Sequence, residues 1–287
     1  MKKQVRTAIS AFLAVLAFSP VVLSGQDEKK AEPKKESRVV LANDKGTEEG
    51  VLPTLGTGLA ALDRAASLGK YAFIFFYRSD DERTQQMRKV FDAAMENLAD
   101  RAESVTVRVT DPAERPIVNK FKVGTAPMPF VFSVAPNGAV VRGYRSVFTE
   151  QQLARAFASP GLEKTLKSLQ DGKMTFVSIQ NESTEHDAEA MKGVDEFKKD
   201  PKYAKMTEVV TIDPSDAAEA QFLQILKVDP SAPEAVTVLL APPGKIVGTY
   251  KGATDKKVLL ASVINATKNK PCCSGNKGGC APKKTGK

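Results

Sequence analysis

Cysteine is absent from residues 26–267, and the chain's three, Cys272, Cys273 and Cys280, all lie within its last sixteen positions. A folded domain between those limits has no thiolate to offer, so dithiol exchange is outside its repertoire. Histidine is almost as scarce. His186 stands alone between Glu185 and Asp187, with no serine or cysteine spaced to build a triad around it, and an exposed histidine at a helix start is the plain reading. Net basic charge is lacking too, once its location is considered. The formal +8 includes Lys2, Lys3 and Arg6 at one end and Lys268, Lys270, Lys277, Lys283, Lys284 and Lys287 at the other; without these nine, residues 26–267 carry −1. No basic stripe remains to track a phosphate backbone, and nucleic acid is not an expected partner. The lysine-rich tail retains a weak attraction to anionic surfaces as its one electrostatic option.

Long apolar runs occur once. After Met1, Lys2, Lys3 and Arg6 the chain is almost uncharged from Ala11 through Phe12, Leu13, Leu16, Phe18, Val21 and Leu23 to Ser24 and Gly25, then turns charged at Asp27 and Glu28. This pattern reads as a secretory signal peptide over residues 1–25, with an uncleaved anchor as the competing reading. Gln26 stands where a lipoprotein box needs cysteine. The expected location is therefore exported, periplasmic or extracellular, with no membrane span after cleavage. Residues 26–52 mix both charge signs with few apolar side chains and read as a charged flexible linker, Val39–Ala42 being a candidate edge strand.

What is present is a repeat. Gly58 and Leu59 recur as Gly161 and Leu162, and Gly69 and Lys70 as Gly172 and Lys173, an offset of 103. Each glycine-lysine pair leads into an apolar run, residues 71–77 in one copy and 174–179 in the other, which predicts a buried strand. Polar, cap-rich turns follow. In the first copy Ser79 or Asp80 is the expected cap of a helix whose apolar residues Met87, Val90, Phe91, Ala94, Met95 and Leu98 keep a 3.6-residue period; Ser183 and Thr184 are the expected caps in the second. Later strands are read at 105–109, 130–134 and 140–144, matched at 209–212, 236–240 and 246–250. Asp111 and Pro112 are aligned with Asp213 and Pro214.

The order helix, strand, helix, strand, helix, strand, hairpin, strand, helix resembles the thioredoxin-like superfamily. The fold class expected is α/β: two tandem thioredoxin-like domains, at 53–159 and 160–267, each a mixed central sheet with helices on both faces. In that family a cis proline leads a strand and faces the helix start that bears two active-site cysteines. Here the repeat favours Pro127, matched by Pro233, while the strand length before Asn137 and Gly138 favours Pro129. The resemblance places the two-cysteine motif near Asp81, Glu82, Arg83 and Thr84, none of them a thiol, and the second copy has Asn181 to Asp187 there. Asp80, Asp81 and Glu82 are accounted for by capping and by the helix dipole; a cation site is the competing reading.

Two functions are expected from different classes. Members of such a fold that lose the motif commonly keep a groove for extended polypeptide, so the resemblance implies a non-catalytic binding or scaffolding module with a protein partner and no cofactor. The alternative is a thiol-disulfide oxidoreductase or soft-metal protein acting through the tail at 268–287. For Cys272, Cys273 and Cys280 three roles stand open: a small disulfide loop, a soft metal ion, or a redox-active thiol.

Overall fold

The computed structural model describes residues 56–268. The expected signal peptide, the expected linker, the candidate strand at Val39–Ala42 and all three cysteines lie outside the described residues. The chain divides between Ala158 and Ser159 into two units. Ser159, grouped by sequence with the first domain, caps the leading helix of the second by accepting from the Leu162 N–H, and so belongs there.

The first unit runs α1 (Thr57–Ser67), β1 (Tyr71–Tyr77), α2 (Glu82–Glu96), β2 (Ala102–Arg108), a one-turn 3-10 helix (Pro112–Glu114), α3 (Arg115–Phe121), β3 (Phe130–Val134), β4 (Val140–Arg145) and α4 (Glu150–Ala154). Its sheet has the order β2-β1-β3-β4, with β1 parallel to β2 and antiparallel to β3, and β3 antiparallel to β4. β1 is central and apolar at every position because both its faces are covered. Period-2 alternation deals its side chains to two layers. Ala72, Ile74 and Phe76 join Leu62 and Ala65 of α1 and Ile117, Val118 and Phe121 of α3. On the opposite face Phe73 meets Phe157, and Phe75 meets Phe91 of α2 and Phe148. Fully burying one such phenylalanine contributes roughly 1.5–3 kcal/mol.

The second unit repeats this plan. It runs α5 (Pro160–Gln170), β5 (Met174–Ile179), α6 (Asp187–Lys198), β6 (Thr207–Ile212), a one-turn helix (Ala217–Glu219), α7 (Ala220–Leu226), β7 (Val236–Ala241), β8 (Lys245–Lys251) and α8 (Lys256–Lys268), with a further short turn of helix before β6. The sheet order β6-β5-β7-β8 and its strand directions match the first. Val177 and Ile179 pack with Phe222, Leu223 and Leu226 on one face; Phe176 packs with Val194, Phe197 and Leu259 on the other.

The repeated glycines have two different causes. Gly69 and Gly172 have φ of +66° and +79°, a backbone region that L side chains rarely enter. Gly58 and Gly161 are needed for space. A Cβ on Gly58 would stand 2.8 Å from Glu114 Oε2, and one on Gly161 2.9 Å from Glu219 Oε1. Those glutamates are buried, 5% and 4% exposed, and do the same work in each unit. Glu114 accepts from the Thr57 hydroxyl and from the Gly58 N–H (3.1 Å); Glu219 accepts from the Ser159 hydroxyl and the Gly161 N–H (2.7 Å). Each carboxylate, delivered by a one-turn helix, satisfies donors that the first turn of α1 or α5 cannot satisfy itself, at the positive end of that helix.

Candidate functional site

In each unit the strand-to-helix junction after the central strand faces the loop that leads into the third strand, and there the two units differ. In the first unit Asp81 is the N-cap of α2, accepting from the Thr84 N–H (2.8 Å), while the Ser79 hydroxyl donates to its other oxygen (2.9 Å). This corrects the expected caps, Ser79 and Asp80. Ser79 serves Asp81 instead, because Asp81, extended and one residue before the helix, brings its side-chain oxygen over the first turn. The bond from the Thr84 amide, with that from Ser79, holds the Asp81 carboxyl below the ordinary aspartate range. Glu82, Arg83 and Thr84 form the first turn of α2. Glu82 and Arg83 are exposed and Thr84 is buried. The Asp80 side chain is 66% exposed, with its nearest cation, Arg88, 3.7 Å away. Each carboxylate has its own partner, Asp81 the Thr84 amide, Asp80 Arg88 and Glu82 the Gln86 amide (3.1 Å), and among the described residues no group of three or more histidine, cysteine or acidic side chains is placed to hold a metal.

The facing loop settles the proline geometry. The Met128–Pro129 bond is cis; Pro127 and Pro233 are not among the cis residues, and the second unit's cis bond lies instead at Pro242–Pro243, in the hairpin turn. The internal repeat pointed to Pro127 and Pro233 because these prolines align in sequence. Position in the ladder decides otherwise. Pro129 directly precedes β3, and its carbonyl accepts from the Ser146 N–H (2.8 Å); the residue that directly precedes β7 and accepts from Gly252 (2.8 Å) is Ala235. Ala235 is thus the counterpart of Pro129, and Glu234 that of Met128. Proline could not replace Ala235 without loss, since the Ala235 N–H donates to the Glu185 carbonyl (2.9 Å).

Around Pro129 the first unit presents a backbone edge and an apolar rim. Among the described residues nothing hydrogen-bonds the Met128 N–H or carbonyl. Met128 is half-buried and Val147, next to the Ser146 contact, is 63% exposed. Arg78, following β1, donates to the Gly124 carbonyl (2.7 Å) and ties the helix-start loop to the proline loop. Below the rim Arg88 lies over the rings of Tyr77 (4.5 Å) and Phe75 (5.6 Å). Tyr144 donates to the Gln152 carbonyl (2.7 Å), and burial pushes its hydroxyl above the ordinary tyrosine value.

In the second unit the junction is longer, residues 180–186, and α6 begins differently. His186 occupies the N-cap position with left-handed backbone, φ +63°, and makes no side-chain cap bond. Ser183 and Thr184 are therefore not the caps expected of them. The Thr184 hydroxyl donates to Asp187 Oδ1 (2.7 Å) and also lies 2.9 Å from the Asn181 N–H, so it closes the loop on itself. His186 is exposed and Glu185 exposed beside it. The pairing of Asp111 with Asp213 is also corrected. Asp111 caps the one-turn helix ending at Glu114, and the residue with that task in the second unit is Asp216, before Glu219. Read in that register, Asp-Pro-Ala-Glu and Asp-Ala-Ala-Glu are one motif, and the buried glutamates missed from sequence would have stood out as recurring.

No family model and no curated protein matches the chain. Solved structures similar to it include the first two thioredoxin domains of Saccharomyces cerevisiae Eps1p, with 11% identity over 75% of this chain and 97% of that one and a TM-score of 0.28. Human ERp44 in a zinc-bound form is similar at 11% identity over 72% of this chain and 54% of that one, TM-score 0.30. Thioredoxin O2 from Arabidopsis thaliana, in its oxidised state, shows 12% identity over 33% and 79%, TM-score 0.28. The fold rests on the strand order, strand directions and helix placement described above: each unit is a thioredoxin-like domain, and the chain carries two in tandem.

Proposed function

We propose that this protein is an exported, non-catalytic module that binds extended polypeptide, and that the binding edge is the Met128–Pro129 segment of the first unit. The observation that carries this reading is the free N–H and carbonyl of Met128 at the mouth of β3, among the described residues, flanked by the exposed Val147. An extended chain laid there gains main-chain hydrogen bonds, while Met128 and Val147 supply apolar contact for alternate side chains. The helix start opposite offers Asp81 to Thr84, which can shape a rim but cannot exchange disulfides.

The test is calorimetric titration of a synthetic decapeptide of alternating valine and threonine, flanked by lysines, into the whole protein. Binding is expected, and it should persist unchanged when Cys272, Cys273 and Cys280 are all replaced by serine. A second reading is supported by those three cysteines, which sit in a glycine- and lysine-rich tail with no apolar residues able to build a core around them: thiol exchange or soft-metal binding through the tail. If the wild-type protein reduces insulin disulfides and the triple serine variant does not, the non-catalytic reading is wrong.

A further inference from the structure

The helix that closes the second unit differs from its counterpart in the first in length, in charge and in what it leaves exposed. α4 has five residues and begins with Glu150; α8 has thirteen, begins with Lys256 and Lys257, and has no acidic residue in its first turn. One face of α8 is accounted for by the core. Leu259 is fully buried, and Leu260 and Val263 pack beside it against the cluster around Phe176 and Phe197. On the opposite face Lys257, Ala261 and Ile264 follow one another at helical spacing, with Val258 and Asn265 alongside, and all five are exposed. The two aliphatic side chains stand out, Val258 at 47% and Ile264 at 44%.

The charge on this face has no partner within the fold. Lys256 pairs with Asp200 (2.9 Å), but Lys257 makes no ion pair among the described residues and stands at the positive end of the helix dipole, where a cation is opposed. Residues 256–287 contain eight lysines and no acidic residue, which equals the formal charge of the whole chain, +8; residues 1–255 are neutral in sum. Exposed aliphatic side chains on a basic helix are what an interfacial helix presents to a bilayer: anionic headgroups answer the lysines, and the boundary with the acyl chains takes the aliphatic groups. A soluble polyanion answers the lysines equally well but has no use for Val258, Ala261 and Ile264, so lipid is the better match. Among the described residues no helix is long and apolar enough to cross a membrane, and the contact is therefore one of surface with surface.

We propose that the outer face of α8, with the lysines that follow it in sequence, docks this protein on a bilayer of anionic lipid. This role is separate from the docking of extended polypeptide at Met128 and does not depend on it. It gives the second unit a task that the first, with its short and acidic α4, does not share.

The experiment is co-sedimentation of residues 26–287, without the apolar run of the expected signal peptide, with vesicles of phosphatidylglycerol and phosphatidylcholine in equal parts, and with vesicles of phosphatidylcholine alone. Binding is expected to the anionic vesicles only, and it should weaken sharply in about 1 M salt, where the Debye length falls to about 3 Å. Two variants then separate the helix face from the charge of the tail. Val258→Ser combined with Ile264→Ser keeps every lysine and should bind the anionic vesicles about tenfold more weakly, while its binding to inorganic polyphosphate stays at the wild-type level. Ile264→Trp places a single reporter in a chain that has no tryptophan, and its emission should move to the blue when anionic vesicles are added. Failure to sediment with anionic vesicles, equal sedimentation with both lipids, binding indifferent to salt, or a serine pair that binds lipid as tightly as the wild type overturns the proposal. A serine pair that loses polyphosphate and lipid alike also overturns it, in favour of a general polyanion site. Where the serine pair melts lower than the wild type, the tryptophan reporter decides: a blue shift sustains docking through this face, and an unshifted emission overturns it.

Discussion

Replacing Glu114 by alanine should unfold the first unit far more readily while leaving the second nearly untouched. The side chain is 5% exposed and serves two donors, the Thr57 hydroxyl and the Gly58 amide. Gly58 lies in the first turn of α1, where its N–H has no partner within the helix. Alanine leaves the buried Gly58 N–H in a space that the carboxylate filled, at a cost of about 1–3 kcal/mol, while the hydroxyl of the exposed Thr57 can turn to water. Helix-dipole stabilisation, about 0.3–1 kcal/mol, goes with it. Allowing for partial access of water to the opened site, the expected loss is about 1–3 kcal/mol, a change on the order of tenfold to a hundredfold in the unfolding equilibrium. Glu219→Ala should produce the same loss in the second unit, through Ser159 and Gly161. Urea unfolding followed by hydrogen exchange and mass spectrometry resolves the two units by their peptides, which matters because the chain has no tryptophan to report on either. A loss below about 0.5 kcal/mol in the unit that carries the substitution would show that these carboxylates contribute no more than ordinary surface caps, and the reasoning would fall.

Three other outcomes follow from single contacts. Tyr144→Phe should cost about 0.5–1.5 kcal/mol for the bond to Gln152, and an ultraviolet pH titration of the five tyrosines should lose one component that titrates above the ordinary tyrosine value; if no such component is lost, burial does not raise Tyr144. Arg88→Met should change stability by less than about 1 kcal/mol, because a cation-π gain of about that size is offset by burying guanidinium nitrogens Nε and Nη2 without a hydrogen bond; a loss above about 2 kcal/mol contradicts that balance. Asp81, Asp200, Asp213 and Asp229 are held below the ordinary aspartate value of 3.8, chiefly by the Thr84 amide, Lys256, and the Ser215 and Ser231 hydroxyls respectively. A folded-state value below the unfolded one means stability fully present above 3.8 and lost as pH falls through the lowered values. Thermal melting across acid pH should be level above about pH 5 and decline below about pH 4, and the Asp200→Asn and Asp213→Asn variants should decline less steeply.

The fold was legible because two periodicities and one repeat agreed. Residues 71–77 are too short and too uniformly apolar for anything but a central strand, and Met87 to Leu98 keep helical spacing; the same pair of signals then recurs 103 residues later. Caps were less legible. Ser79, Asp80 and Asp81 are all competent cap residues, and backbone geometry rather than side-chain chemistry selects among them. The proline was misjudged by alignment of identical residues, since Pro127 and Pro233 match in sequence while Pro129 and Ala235 match in the ladder. The bridge between Glu185 and Glu234 left no signal in residue type, since Glu185 bonds Pro233 and Ala235 through its backbone.

The bond from Glu114 to Thr57 spans 57 residues, and this sets an order of assembly. A chain emerging from its N-terminus presents α1 long before Glu114 exists, so α1 has no partner for its first turn until β1, α2 and β2 have all been made. Glu219 imposes the same delay on α5, 60 residues after Ser159. Each domain thus begins with a helix that can be seated only near the end of its own central crossing, and the two buried carboxylates act as signals that the crossing is complete.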